Sequence, residues 1–205
     1  MCYRTKLNAK LSDIERAFDA RFIEAEAYEP REEINAFSFI KTPVVIDENP
    51  REIEMFNWGL IPFWAKDEKI RKMTLNARIE SLSEKPAFRN SIENRCLVIA
   101  NGYYEWQWKD AKGKEKQKFL ITPQEQDIFA FAGIYSSWTN PKTNKLVNSY
   151  SIVTTKANEL MSEIHNHKQR MPVVLKKKDQ QLWLSGKEVS QFAFPYEVKL
   201  NASPL

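Results

Sequence analysis

Apolar and polar positions change period several times along this chain, and the changes divide it into elements. Over residues 11–28 (LSDIERAFDARFIEAEAY), Ile14, Ala17, Phe18 and Phe22 recur at helical spacing on one face, Ser12 or Asp13 can cap the start, and Pro30 follows the end. The spacing predicts one helix there. Residues 34–46 alternate loosely, with Thr42-Pro43 interrupting them, and Val44–Ile46 reads as a short strand before the turn Asp47–Pro50. Ile53 to Gly59 predicts another strand, after which Pro62–Ala65 leads into an irregular, charged stretch. From Arg95 the strand signal strengthens over Cys96–Ala100, Tyr103–Trp108, Phe119–Thr122, Ile128–Ser136 and Ser149–Thr154. The run 109–118 (KDAKGKEKQK) reads as a hairpin loop whose lysines form a solvated face. Residues 156–164 are predicted helical, and Gln180–Leu184 a short helix or turn.

Strands therefore dominate, with helices scattered irregularly among them. The expected class is α+β, a single domain on a mainly antiparallel, barrel-like β-sheet with flanking helices. A chain of 205 residues, 42% hydrophobic and 12% aromatic, can bury a core of that kind and is not a disordered composition.

Charge changes the picture little. Lys and Arg total 31 against 27 acidic residues, a net +4, which permits contact with nucleic acid without demanding it. Cysteine usage is more restrictive. Only Cys2 and Cys96 are present, too few for a disulfide framework and without metal-ligand spacing, so neither a metal nor another cofactor is expected. Cys96, inside Arg95-Cys-Leu-Val-Ile-Ala100, reads as a small buried hydrophobe. No apolar run approaches the roughly 20 residues of a membrane span, and the N-terminus lacks a signal peptide's apolar core, so the expected location is the cytoplasm.

Five segments carry side chains that a plain core does not need. Cys2 directly follows Met1; once Met1 is removed, it offers an α-amine and a thiol on adjacent carbons. An α-amine with a reference pKa of roughly 7.7–8.0 is substantially neutral near pH 7 and condenses with aldehydes, and the neighbouring thiol can then close a thiazolidine. The alternative is a frayed terminus. Trp58 and Trp64 bracket a Gly and a Pro, which suits either a packed turn or a base-stacking surface. Asn76, Arg78 and Arg89 lie in Asn76-Ala-Arg-Ile-Glu80 and Pro86-Ala-Phe-Arg89, where an amide and two phosphate-gripping groups, or plain solvated side chains, are the options. Glu105 sits among aromatics in Gly102-Tyr-Tyr-Glu-Trp106, where desolvation would raise its pKa toward the proton-transfer range, unless it faces outward. His165 and His167 are the chain's two histidines, shortly before Arg170-Met-Pro172, and suit a metal, a proton shuttle or a phosphate; no third ligand completes a metal site.

Taken in order, these segments resemble the SOS response-associated peptidase (SRAP) family. The pattern covers Met1–Arg4, Trp58–Trp64, Asn76–Glu80, Pro86–Arg89, Arg95–Leu97, Gly102–Trp106, Phe131–Gly133 and Ile164–Pro172, a motif-bearing core of about 1–175 followed by an extension over 176–205, within one domain spanning 1–205. The resemblance implies the SRAP fold and a protein, expected to be monomeric, that crosslinks itself covalently to abasic sites in single-stranded DNA. It implies that Cys2 is the nucleophile after autoproteolytic loss of Met1, that Asn76 orients the sugar and Cys2, that Glu105 manages protons, and that His165 serves the sugar hydroxyl. It also implies phosphate contacts from Arg4, Arg78, Arg89 and Arg170, base stacking by Trp64 and Trp106, and accessory lyase activity. Two departures stand out. Tyr3 occupies a position where many members have Gly, and four residues lie between His165 and Arg170 whereas the usual pattern places the His one residue before Arg-Met-Pro, which leaves His167 as the other candidate histidine. The competing readings are a thiol peptidase using Cys2 and a non-catalytic single-stranded DNA binding module that would be indifferent to abasic sites.

Overall fold

The computed structural model describes residues 2–205. Processing of Met1 therefore lies outside the described residues. In chain order the elements are β1 (Arg4–Leu7), α1 (Leu11–Phe18), β2 (Arg21–Phe22), β3 (Arg31–Asn35), β4 (Lys41–Ile46), β5 (Glu52–Trp58), β6 (Asn76–Arg78), β7 (Arg95–Ala100), β8 (Gly102–Trp108), β9 (Lys116–Pro123), β10 (Phe129–Thr139), β11 (Leu146–Lys156), α2 (Glu159–Ile164), β12 (Arg170–Pro172), α3 (Gln180–Leu184) and β13 (Leu200–Pro204).

Five strands close on themselves. Antiparallel pairing runs β5–β4–β7–β10–β11, and a short parallel contact, Ser149↔Asn57 and Tyr150↔Trp58, joins the last strand to the first. Closure removes the edges of that sheet. A second sheet, ordered β13–β9–β8–β1–β3, flanks the barrel. Its β8 alternates: Tyr103 meets Phe131 of β10 edge-on at 5.6 Å, and Glu105, two residues on, shares that inward face. The expected α+β barrel architecture is the one observed.

Pro43 lies within β4 rather than breaking it. It pairs with Met55 of β5, whereas pairing to β7 begins only at Val44, so this stretch has a single neighbour and tolerates a residue without an N–H. The helix expected over 11–28 is shorter. It ends at Phe18 because Asp19 turns left-handed (φ 51°), and Arg21-Phe22 then join β5 in parallel, which buries Phe22. Neither Ser12 nor Asp13 caps it; the N-cap is Lys10, without a side-chain hydrogen bond.

The extension is woven into the fold. Buried Trp183 of α3 donates its indole N–H to the carbonyls of Cys96 (3.1 Å) and Gly133 (3.2 Å), and β13 adds to the edge of β9. Those carbonyls belong to a tight crossing. A Cβ on Gly133 would stand 2.6 Å from the Cys96 sulfur and 2.7 Å from Val98 Cγ2, which accounts for the small residue in Phe131-Ala-Gly133. Gly133→Ala is accordingly expected to destabilise the protein by about 1–3 kcal/mol, the usual cost of overpacking a core, measured as a fall in midpoint in urea at unchanged slope. An unaltered midpoint would contradict this packing.

Candidate active site

Four residues separated widely in sequence converge where β1 begins. Cys2 is fully buried just ahead of β1, and its carbonyl accepts a 2.8 Å hydrogen bond from Asn76 Nδ2. Asn76 opens β6, a three-residue strand held parallel to β11 through Asn76↔Ile152. The segment before it is fixed from behind. Trp58, fully buried, donates its indole N–H to the Leu75 carbonyl at 2.8 Å, and Thr74 Oγ1 donates to the Leu60 carbonyl at 2.6 Å. Gly59 makes this crossing possible: its φ is +113°, and a Cβ would lie 2.9 Å from the Arg71 carbonyl oxygen. Thus the Trp-Gly pair serves packing, and what it packs is the support of Asn76.

Glu105 and His165 face each other with Oε2 and Nε2 3.9 Å apart, both nearly buried. Burial pushes the Glu105 carboxyl up to about 7. Burial likewise pushes His165 down to about 4, so the imidazole is neutral at physiological pH. Its Nδ1 accepts from the Arg170 backbone N–H at 3.2 Å, which leaves the single ring proton on Nε2, toward Glu105. The Cys2 thiol is pushed up first by burial and then by the nearby Glu105 carboxylate. A carboxyl near neutrality, a neutral imidazole and a protonated thiol can pass protons but do not constitute a thiolate site. Among the described residues, Asn76 Oδ1 is buried without a hydrogen-bond partner.

The two histidines stand in different surroundings. His165 caps the end of α2, whereas His167 stacks on Trp108 at 3.8 Å between centroids and 10° between planes. Asn166 fastens the intervening turn to β8, accepting from Trp108 N (3.1 Å) and donating to Trp108 O (2.9 Å). The His165 carbonyl accepts from Gln169 N at 2.8 Å, so the additional residues fold into a turn and Arg170 still reaches β12. A cavity of about 220 Å³ opens here, lined by Tyr3, Glu105, Trp106, Trp108, Lys116, His165, His167 and Lys168.

The expected DNA contacts fare differently. Trp106 lines this cavity, with the Arg4 guanidinium 5.7 Å above its ring. Arg4 itself pairs with Glu33. Arg170 is largely buried and grips Glu80 with both amino groups (2.9 and 2.8 Å), which aligns β12 with the segment after β6 and draws that guanidinium away from solvent. Arg78 is exposed two residues beyond Asn76, and Arg89 is exposed on a 3-10 turn. Trp64 is 46% exposed beside Phe63 on the loop after β5, a loop anchored by a 2.7 Å bond from Trp138 Nε1 to the Ala65 carbonyl. Nothing in the sequence marks Glu33, Lys168 or Trp108, and Lys116, expected on the solvated face of the 109–118 loop, instead opens β9 with its ammonium 5.2 Å from the Trp108 ring centre. The lysines sit in charged runs that resemble any solvated loop, and Glu33 gives no local signal. Among the described residues no three metal-binding side chains come together, and no helix is long and apolar enough to cross a membrane.

The family model described as SOS response associated peptidase (SRAP) matches residues 1–204. Abasic site processing protein YoqW of Bacillus subtilis (strain 168) is 39% identical over 189 residues, spanning 91% of this chain and 81% of that protein. Abasic site processing protein HMCES of Xenopus tropicalis is 32% identical over 151 residues, 63% of this chain and 43% of the relative. A crystal structure of a protein from Bacteroides thetaiotaomicron superposes with a TM-score of 0.90 at 33% identity, covering 100% of this chain and 92% of that one.

Proposed function

The chain belongs to the SRAP family, and from that premise we propose that it processes abasic sites by capturing them covalently in single-stranded DNA through Cys2. The observation that carries this reading is the Cys2 main chain, held by Asn76 beside a carboxyl raised to about 7 and a neutral imidazole. In the proposed sequence, that site also hydrolyses the Met1–Cys2 peptide bond, with one water consumed, Met1 released as the free amino acid and the Cys2 amine freed. The neutral amine adds to the aldehyde carbon of the ring-opened sugar, forming a C–N bond and a carbinolamine. Glu105 in its acid form protonates the hydroxyl, which departs as water and leaves a protonated Schiff base. The thiol sulfur then bonds to the same carbon as the C=N electron pair returns to nitrogen, and Glu105, now a carboxylate, takes the thiol proton. The product is a thiazolidine, and no oxidant or metal enters. In this reading His165 Nε2–H serves the sugar hydroxyl once the sugar enters beside Glu105, and the buried Asn76 Oδ1 accepts from the Cys2 nitrogen. A ring proton on Nε2 and an Oδ1 with no hydrogen-bond partner among the described residues support those roles.

A thiol peptidase acting on other chains fits less well, because a thiolate nucleophile requires a lowered pKa and burial here raises it. The test is denaturing electrophoresis of the mature protein with a single-stranded oligonucleotide carrying one abasic site. A shifted band is expected for the wild type and none for Cys2→Ala or for a chain with an extra residue before Cys2. Persistence of the band in either, or turnover of peptides without any band, would overturn the reading.

A further inference from the structure

On the outer face of the flanking sheet, four strands (β1, β3, β8 and β9) bring together two cations, one acid and two rings. Glu33 of β3 pairs through Oε1 with Arg4 Nη1 of β1 and through Oε2 with Lys118 Nζ of β9, the latter at 2.5 Å. The Lys118 ammonium stands 4.2 Å from the ring centre of Tyr104 and 5.7 Å from that of Trp106, and Arg4 also lies 5.7 Å over Trp106. The register requires this grouping: Trp106 is opposite Lys118, and Arg4 is opposite Asn35, two residues from Glu33 on the same face of β3. Cys2 is two residues before Arg4, so the cluster adjoins the reactive centre.

We propose that Arg4 and Lys118 form a seat for one backbone phosphate of the DNA strand, and that Glu33 fills that seat in the free protein until the phosphate displaces it. The inference rests on the single-stranded DNA reading above and adds a contact, Lys118, and a competitor, Glu33, to it. A carboxylate that gives one oxygen to each of two cations occupies them as the two non-bridging oxygens of a phosphodiester would. The three side chains are between 28% and 39% exposed, so the ion pairs add little to stability and exchange readily for a solvent-borne anion. Trp106 beneath both cations supplies the ring on which an adjacent base can stack. Glu33 then limits binding to intact DNA, because every strand that enters must expel a carboxylate.

The test is binding of an undamaged single-stranded oligonucleotide, followed by fluorescence anisotropy over a salt series. Glu33→Gln is expected to bind about tenfold more tightly at low salt, with the advantage shrinking as screening increases. Lys118→Met is expected to weaken binding and to reduce the slope of log K against log salt by about 0.7, the share of one phosphate on a single strand. A gain in affinity cannot come from a variant that fails to fold. Equal or weaker binding by Glu33→Gln at low salt, or an unchanged slope for Lys118→Met, overturns the seat. Wild-type crosslinking to abasic DNA is scored in parallel. Crosslinking without the Glu33→Gln gain refutes the seat alone, whereas no crosslinking refutes the abasic-site reading and leaves the salt series to judge the seat.

Discussion

Glu105→Gln is expected to slow capture of an abasic site by about 10²–10⁴-fold, the usual worth of a positioned acid–base group, while making the folded protein more stable at pH 8. Both effects have one cause. Burial raises the carboxyl from 4.5 to about 7, so near neutrality it is divided between an acid that can release water and a base that can take the thiol proton. Glutamine keeps the shape and can do neither. The rate profile of the wild type is therefore expected to carry an inflection near pH 7 that the variant lacks, and its survival in Glu105→Gln would assign it to another group.

The stability effect has a definite sign. A carboxyl raised in the folded state holds its proton there longer than in the unfolded chain, so its contribution is full below about 4.5 and is lost as pH rises through about 7. The rise corresponds to about 3 kcal/mol when complete. Glutamine does not ionise and escapes that loss. Thermal melts are expected to show Glu105→Gln about 5–10 °C above the wild type at pH 8, with the gap closing toward pH 4. His165 works in the opposite sense. Its pKa is lowered from 6.5 to about 4, so stability falls as pH drops through that interval, and the two slopes largely offset one another between about 4.5 and 6.5. A gap between variant and wild type that does not change with pH would show that Glu105 carries no such burden.

How much of this could be read from the residues depends on how far apart the partners lie. The runs that became β7, β10 and β11 carry enough β-branched and aromatic residues to be identified locally, and the barrel class followed from their number. Phe22 falls at helical spacing from Phe18, which carries the predicted helix past its end, although what buries Phe22 is a parallel pairing with Ile53. Closure of the barrel joins Trp58 to Tyr150, a contact between strands that no local period announces. The four residues that meet where β1 begins are legible only through the order of their motifs. Asn76 reaches Cys2 across 74 positions of chain, and nothing in either neighbourhood states that they meet. The histidines differ by two positions, and the structure separates them through what surrounds each: a helix end and Arg170 N–H for His165, the face of Trp108 for His167. Arg170 resembled a phosphate contact because its partner, Glu80, lies 90 residues away.

Trp58→Phe is expected to leave the fold intact yet lower crosslinking by about 10–100-fold, because modest misplacement of a positioning group has effects of that size. The phenyl ring retains most of the apolar surface and the stacking on Tyr150, whose ring lies 6.2 Å away at 13°. It removes the indole N–H that holds the Leu75 carbonyl. That carbonyl keeps one bond, from Ile152 N at 3.2 Å, so the cost is that of a lost hydrogen bond and a small void, about 1–3 kcal/mol. The consequence for chemistry exceeds the consequence for stability because the loosened residue directly precedes Asn76. Trp138→Phe provides the comparison. Trp138 is equally buried and loses an equivalent bond, to the Ala65 carbonyl, but it belongs to a separate small cluster under the loop after β5. The fall in melting temperature is expected to be at least as large for Trp138→Phe, whose Ala65 carbonyl has no second donor among the described residues, with the greater loss of crosslinking in Trp58→Phe. Equal losses of crosslinking would mean that Trp58 acts only through general stability, and that the Trp-Gly motif has no particular bearing on where Asn76 stands.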